Sequence, residues 1–452
     1  MEHWGLLSLL PTLTVVLLAL ITKKTFEALV GGSLVGFLIV FQQNFFLEFT
    51  DSLLRVMQDP TIAWVVLVCG LFGSLIYLLA QTGGTNAFSG FLLKYVKNRK
   101  SALLATWLLG ISIFIDDYLN ALTVGTSMKK VTDRFKVPRE MLAYVVDSTA
   151  APICVLIPLS TWAIYISGLL ESEGVVAAGE GLTGYLQAIP YITYGWVAAL
   201  LVPLVAVNII PPLGAMKQAE SRAATGVLIP PNSESISLEI PENVSDKVPK
   251  LSYFVLPILV LIGTTVFFNI DALKGIVFTL IFTVLFFTVR RVMTFTQAME
   301  GVFDGFKTML YALAIVVMSF VLKEVNDQLG LTQYVIETVS PLISREYLPL
   351  ISFVSLALIT FATGSFWGVY AISLPIIIPL AQSIGVDIWL SIGAVISAGA
   401  FGSHACFYGD ATVLSASATQ CNNMAHVMTQ LPYTLMAGAA TSIIYLVLGH
   451  VT

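Results

Sequence analysis

Apolar runs of membrane-spanning length recur along the whole chain, at 5–22, 26–47, 60–80, 101–128, 140–170, 184–210, 251–269, 272–289, 307–325, 348–381, 388–416 and 430–449. A spanning helix takes about 20 residues. No water reaches the bilayer core, so such runs must satisfy their backbone groups internally, as helices. Of 452 residues, 57% are apolar and only 11% are charged, against about 25% charged in a soluble domain. That balance excludes a soluble enzyme, a disordered chain and a nucleic-acid binder. It predicts an all-α polytopic membrane protein without a large extramembrane domain. Cys69, Cys154, Cys406 and Cys421 form no CxxC pair and read as small buried hydrophobes. Met1 to Trp4 lack a basic stretch, so the first run is not read as a cleavable signal.

Basic residues orient the spans. Lys23 and Lys24 place the end of the first run inside, and Lys94, Lys97, Arg99 and Lys100 place the end of the third inside. The run 101–128 then ends in Lys129, Lys130, Arg134, Lys136 and Arg139. A simple crossing would put these five cations outside. A re-entrant hairpin returns them to the inside, with Asp116–Asp117–Tyr118 near its tip. The run 348–381 is also too long for one span and has a polar break at Thr363–Gly364–Ser365. Its flanks fit a hairpin entering from outside. The linker is 211–250, rich in proline, and 290–306 reads as a short interfacial helix.

The expected architecture is two inverted repeats, 1–210 and 251–452, of about five spans and one hairpin each, joined by a cytoplasmic linker. Each repeat also carries a broken helix, over 140–170 and 388–416. An offset of 247 residues relates Gln81 to Gln328, Gly83 to Gly330, Thr85 to Thr332 and Phe114 to Phe361. Inverted repeats whose broken helices meet at the midplane are a secondary-transporter architecture.

Ionisable groups at membrane depth mark ion or substrate pathways. Asp116, Asp117 and Asn120 lie in one apolar run without Lys or Arg. Their oxygens suit a hard cation such as Na⁺, and of two carboxylates held side by side one is able to carry a proton. Asp147, Ser148 and Thr149 precede Pro152, a pattern for an unwound helix centre. Thr363, Gly364 and Ser365 offer a sharp turn with free carbonyls. These nine residues form the expected ion-binding set, with Na⁺ at Asp116, Asp117 and Asp147. Trp367, Ser403, His404, Tyr408, Asp410 and Thr412 form the expected substrate and proton pathway. His426 and Asn422–Asn423 are expected at the inner end of the 388–416 helix.

The strings Phe114–Gly125 (FIDDYLNALTVG), Asp147–Pro158 (DSTAAPICVLIP), Thr363–Gly368 with Leu374–Pro375, and Thr429–Tyr433 (TQLPY) resemble the NhaC-type sodium/proton antiporter family, within the ion-transporter superfamily. The resemblance covers nearly the whole chain. It implies Na⁺ and H⁺ as transported or coupling ions, no other cofactor, a homodimer in membrane lipid, and an elevator mechanism with a scaffold and a moving domain. The expected location is the cell membrane, the inner membrane of a bacterium. Where the family reads something like GDHCSPISDTT, Gly402–Thr412 reads GSHACFYGDAT. Ser403 replaces a carboxylate, and Phe407 and Tyr408 replace smaller residues. That departure favours, as an alternative, Na⁺- or H⁺-coupled movement of a small organic solute, a carboxylic acid or an amino acid. An intramembrane aspartyl protease pairing Asp117 with Asp410 is a remote alternative, because no GxGD string is present. The absence of a GxxxxGK[ST] string gives a primary pump no support.

Overall fold

The computed structural model describes residues 3–22, 24–233, 248–339, 343–364 and 366–451. Among them the secondary structure is entirely helical. Among the described residues six helices are long and apolar enough to cross a membrane. The number is eight if two bent pairs each count as one span: Gly181–Tyr191 with Thr193–Ala206, bent by 56°, and Phe295–Thr308 with Leu310–Gln328, bent by 44°. This is a multi-pass membrane protein. Ser365 and residues 234–247 of the expected linker lie outside the described residues.

The helices pack around two separate apolar cores. The first joins Leu10–Thr22, Thr25–Phe41, Phe45–Gln58 and Pro60–Gln81 to Ser252–Phe267, Ala272–Val289, Phe295–Thr308 and Leu310–Gln328. One contact here rests on small residues. Gly73 and Ser74 face Gly305, Gly70 faces the Phe306 ring, Gly301 faces Leu78 and Gln81, and Ser74 donates to the Val302 carbonyl at 2.7 Å. Small side chains let two backbones approach closely, where van der Waals packing rather than hydrophobic transfer holds helices together in lipid. The short helix expected over 290–306 is part of this contact, as Phe295–Thr308, with Thr294 and Gln297 forming a capping box at its start.

The second core joins Arg139–Thr149, Thr161–Ser172 and Thr193–Ala206 to Leu348–Thr363, Trp367–Ile384, Ile388–Ala405 and Asn423–Val451. Helices Asp117–Arg134 and Asp410–Thr419 lie on the seam between the cores, touching each other and elements of both. They cross closely: a Cβ on Gly125 would stand 2.7 Å from Ala418 Cβ.

The long runs are interrupted at the polar breaks. The 101–128 run divides into Arg99–Ser112 and Asp117–Arg134, and the 348–381 run into Leu348–Thr363 and Trp367–Ile384. The 140–170 run divides into Arg139–Thr149, Ala151–Cys154 and Thr161–Ser172, and the 388–416 run into Ile388–Ala405 and Asp410–Thr419. Part of the expected linker is ordered as a helix, Gly214–Ala224. It is tied to the second body by ion pairs of Arg99 with Glu220 and of Arg222 with Glu140.

Candidate ion and proton site

Unwinding a helix in an apolar interior frees carbonyls, and each needs a donor. In the first break, Asn120 meets that need. Its amide nitrogen lies 2.7 Å from the Gly110 carbonyl, 2.8 Å from that of Ile113 and 2.9 Å from that of Thr149. The Ile115 carbonyl accepts from the Thr161 backbone N–H at 2.9 Å, so the two broken segments of the first half clasp each other. Asp116 caps the following helix, its Oδ1 accepting from the Leu119 N–H at 3.0 Å, while its Oδ2 accepts from Thr161 Oγ1 at 3.3 Å.

Three oxygens left unsatisfied lie on one helix. Asp117 Oδ2, Asn120 Oδ1 and Thr123 Oγ1 are buried without a hydrogen-bond partner. Their residues recur every third position along Asp117–Arg134. Asp410 approaches from the other half: its Oδ2 accepts from the Tyr118 hydroxyl at 2.6 Å and its Oδ1 from the Ala411 N–H at 2.8 Å. Asp116, Asp117 and Asp410 are each 1% exposed.

Asp147 sits in the opposite electrostatic setting. Its Oδ2 accepts from Gln430 Nε2 at 2.6 Å and Thr412 Oγ1 at 3.1 Å, and lies 3.2 Å from His426 Nε2. Its Oδ1 accepts from Ser415 Oγ at 3.4 Å. His404 Nε2 is 4.0 Å from the same carboxylate and 3.2 Å from Ser148 Oγ, and its Nδ1 is 2.7 Å from the Tyr194 hydroxyl. A carboxylate ringed by N–H and O–H donors is solvated as an anion by the protein itself. A cation would need oxygens turned toward it, and here they are turned toward hydrogens. Of the carboxylates expected to hold Na⁺, Asp147 is the one the protein itself supplies with donors on both oxygens.

The other expected residues divide similarly. Ser148, His404 and Thr412 join the Asp147 network. Ser403 Oγ is buried without a partner. The hydroxyls of Thr149 and Thr363 bond back to their own helices. Gly364 adopts φ +70° and ends its helix, its bare Cα facing the Tyr408 ring. Tyr408 is fully buried and donates to the Ala362 carbonyl at 2.8 Å. That hydrogen bond closes the second-half break. Trp367 instead borders a cavity of about 500 Å³ with Trp64, Tyr165 and Lys323. A second cavity of about 510 Å³ runs between Glu140, Arg222, Asn422 and Thr429, and its lining residues Ala425 and Thr429 immediately precede His426 and Gln430.

His426 and Gln430 were not among the expected site residues. His426, expected at the inner end of the 388–416 helix, lies on Asn423–Val451 four residues before Gln430, and both are buried. That spacing puts them on one helix face, a signal present in the sequence beside the TQLPY string.

Comparison with known proteins now bears on this geometry. The Na⁺/H⁺ antiporter family model matches residues 176–450. The chain belongs to the Na⁺/H⁺ antiporter family. It is therefore a transporter and not an enzyme. An uncharacterized protein of Haemophilus influenzae is 31% identical over 485 aligned positions, covering 98% of this chain and 90% of that protein. A malate-2H⁺/Na⁺-lactate antiporter of Bacillus subtilis is 29% identical over 93 residues, 21% of this chain and 20% of the relative. Membership in the antiporter family implies ion coupling. Among the described residues no group of three or more His, Cys, Asp or Glu side chains forms a metal site. A transported ion would draw on hydroxyl and amide oxygens as well as carboxylates.

Proposed function

We propose that this antiporter exchanges Na⁺ for H⁺ across the inner membrane of a bacterium, with Na⁺ drawn to Asp116, Asp117 and Asn120. The observation that carries the reading is the set of orphaned buried oxygens, Asp117 Oδ2, Asn120 Oδ1 and Thr123 Oγ1. An unpaired buried acceptor costs about 1–3 kcal/mol, and a bound cation or a proton removes that cost. Na⁺ and H⁺ that compete for one carboxylate are the minimal requirement for exchange. Protons reach the Asp147–His426–His404 network from the cavity beside Thr429.

Alternating access of elevator type between two inverted repeats is part of the same reading. The 247-residue offset supports it. Gly83 and Gly330 both adopt left-handed φ, +70° and +67°, just after helices ending at Gln81 and Gln328. Thr25 and Ala272 both begin helices. Two apolar cores with the polar groups on their seam suit one body sliding against the other. The first body would be the scaffold and, following the family resemblance, the place where two copies meet.

The test is exchange in proteoliposomes under imposed Na⁺ and pH gradients. Asp117→Asn is expected to abolish Na⁺-driven proton movement while the protein stays folded. Asn keeps the volume but not the charge that offsets Na⁺ desolvation. Full Na⁺ coupling in Asp116→Asn and Asp117→Asn alike would overturn the assignment. Coupled movement of a small organic solute is a second reading, favoured by the aromatic cavity at Trp367 and by the likeness to the malate-2H⁺/Na⁺-lactate antiporter.

A further inference from the structure

The two cavities open toward opposite membrane faces. The one of about 510 Å³ is lined by Pro230, Pro231 and Asn232 of the expected cytoplasmic linker. The one of about 500 Å³ is lined by Asp59 and Pro60. The third apolar run starts there and leads to Lys94, Lys97, Arg99 and Lys100, which place its end inside and its start outside. Among the described residues the charged side chains on this outer cavity are Asp59 and Lys323, and both are already engaged, Lys323 with Asp327 at 2.9 Å. The outer cavity thus has room for an ion but no free charge to retain one, which is the character of an antechamber.

Rings drawn from both bodies stand between this cavity and the carboxylates. Trp64, on Pro60–Gln81, packs on the first core, and Trp367, which begins Trp367–Ile384, packs on the second. Both line the cavity, with centroids 6.2 Å apart and planes at 69°, edge to face. Next to Trp64 is Tyr118, 6.3 Å away, whose hydroxyl donates to Asp410. Next to Trp367 is Trp162, 4.1 Å away, which adjoins the Asp117 carboxylate. Trp64 and Trp367 are half-buried, whereas Tyr118 and Trp162 are fully buried. Each line of contacts from the cavity to a carboxylate is therefore two rings long. Trp367 is fastened within its own body: Tyr165 lies 4.7 Å from its ring and donates to its carbonyl at 2.8 Å. The contact with Trp64 instead spans the two bodies, so it parts when one body slides past the other.

We infer that the Trp64–Trp367 contact is the outer gate of the ion path, and that the cavity beside it is the vestibule through which Na⁺ reaches Asp117. A cation does not cross a closed apolar layer, because the layer sheds the water that would carry it; hydrophobic constrictions gate in this way. Aromatic rings suit the task in both positions. Closed, an edge-to-face pair packs favourably without a hydrogen bond that must be remade at each cycle. Parted, the ring faces attract a passing cation. No separate hinge is needed, because the two rings belong to different bodies. The inference rests on the reading of Asp117 as the ion site and adds the outer way in.

Cys69 is a native reporter on the inner side of the rings. It is fully buried on the same helix as Trp64 and lies within electrostatic reach of Asp116, Asp117 and Asp410. The experiment places the full chain, carrying Cys154→Ser, Cys406→Ser and Cys421→Ser, in right-side-out membrane vesicles. Trimethylammonium-ethyl methanethiosulfonate, an impermeant cationic thiol reagent, is added outside, and modification of Cys69 is followed by mass. With both rings present, Cys69 is expected to stay unmodified. Trp64→Ala and Trp367→Ala, one from each body, are each expected to raise the rate at least about tenfold, because the constriction wets. Leu67→Ala, at an exposed position of the same helix, is expected to leave Cys69 protected, which separates opening of the gate from general loosening. Na⁺ is expected to slow modification in Trp64→Ala and to lose that effect once Asp117→Asn is added. If neither alanine variant exposes Cys69 from outside, or if Leu67→Ala exposes it equally, the gate is overturned, whatever Na⁺ does. If both alanine variants expose Cys69 and Na⁺ gives no protection, the gate stands and the assignment of Na⁺ to Asp117 fails instead.

Discussion

Asp147→Ala measures whether the Asp147 network is held together by its carboxylate. The side chain is 1% exposed and engages four groups, at 2.6, 3.1, 3.2 and 3.4 Å. Thr412 and Gln430 each keep a second acceptor, the carbonyls of Ser403 and His404. His426 and Ser415 lose their acceptor on this residue. Each buried donor left unmade costs about 1–3 kcal/mol, and bonds to a charged acceptor contribute about 1.5–3 kcal/mol each. Relief from burying a charge offsets part of this. The net expected loss is about 3–6 kcal/mol. At about 2 cal/mol/K per residue, a cooperative chain of this length shifts its midpoint by roughly 1 °C per kcal/mol. Thermal unfolding in detergent should therefore fall by about 3–6 °C. Asp147→Asn is the decisive companion. Its carbonyl oxygen can take the Oδ2 position and keep His426, Gln430 and Thr412, while its NH₂ turns to Ser415 Oγ. Most of the stability should return, within about 1–2 kcal/mol. Proton-coupled exchange should remain lost, because the amide does not titrate. Asp147→Ala unfolding at the parent temperature would refute the reasoning, as would an alanine and an asparagine variant of equal stability.

Gly364→Ala adds a Cβ at φ +70° and 2.6 Å from Tyr408 Cδ2. Left-handed strain of about 1–2 kcal/mol combines with overpacking of about 1–3 kcal/mol, so thermal unfolding should show a loss of about 2–5 kcal/mol, and an unchanged midpoint would sink the account of this break. Lys97 and Lys130, replaced singly by cysteine in a background without native thiols, should both react with an impermeant label from the cytoplasmic face; labelling from opposite faces would remove the first hairpin.

The breaks themselves are legible in the residue types alone. A carboxylate pair or a glycine flanked by hydroxyls has no place in a lipid-facing run, so FIDDYLN, TGSFWG and GSHACFYGD imply interrupted helices, and interruptions occur at all three. What residue type does not reveal is which of its capacities a side chain spends. Asn120 has two acceptor lone pairs and two donor hydrogens; the hydrogens close the first break and only the oxygen is left over. Tyr408 has an aromatic face and a hydroxyl, and packing against a bare glycine uses both for structure.

Asp117 and Asp147 show the same limit at its sharpest. Both are buried aspartates in polar strings of the first half, and nothing in their local sequence separates them. The partners that make Asp147 a solvated anion are 265, 268, 279 and 283 residues away in sequence. Asp117 Oδ2 makes no hydrogen bond. A carboxylate enclosed by donors holds its charge without help, whereas a carboxylate beside orphaned acceptors holds its charge only when a cation or a proton arrives. Exchange needs a site of the second kind, because only there does the free energy of the empty state drive capture of the next ion. The first kind is suited to sense protonation, since adding a proton to Asp147 forces at least one of its four donors to turn away. The two carboxylates are joined structurally by the helix pair Asp117–Arg134 and Asp410–Thr419. Tyr118 binds Asp410 at one end of that contact, and Thr412 and Ser415 of the same short helix bind Asp147.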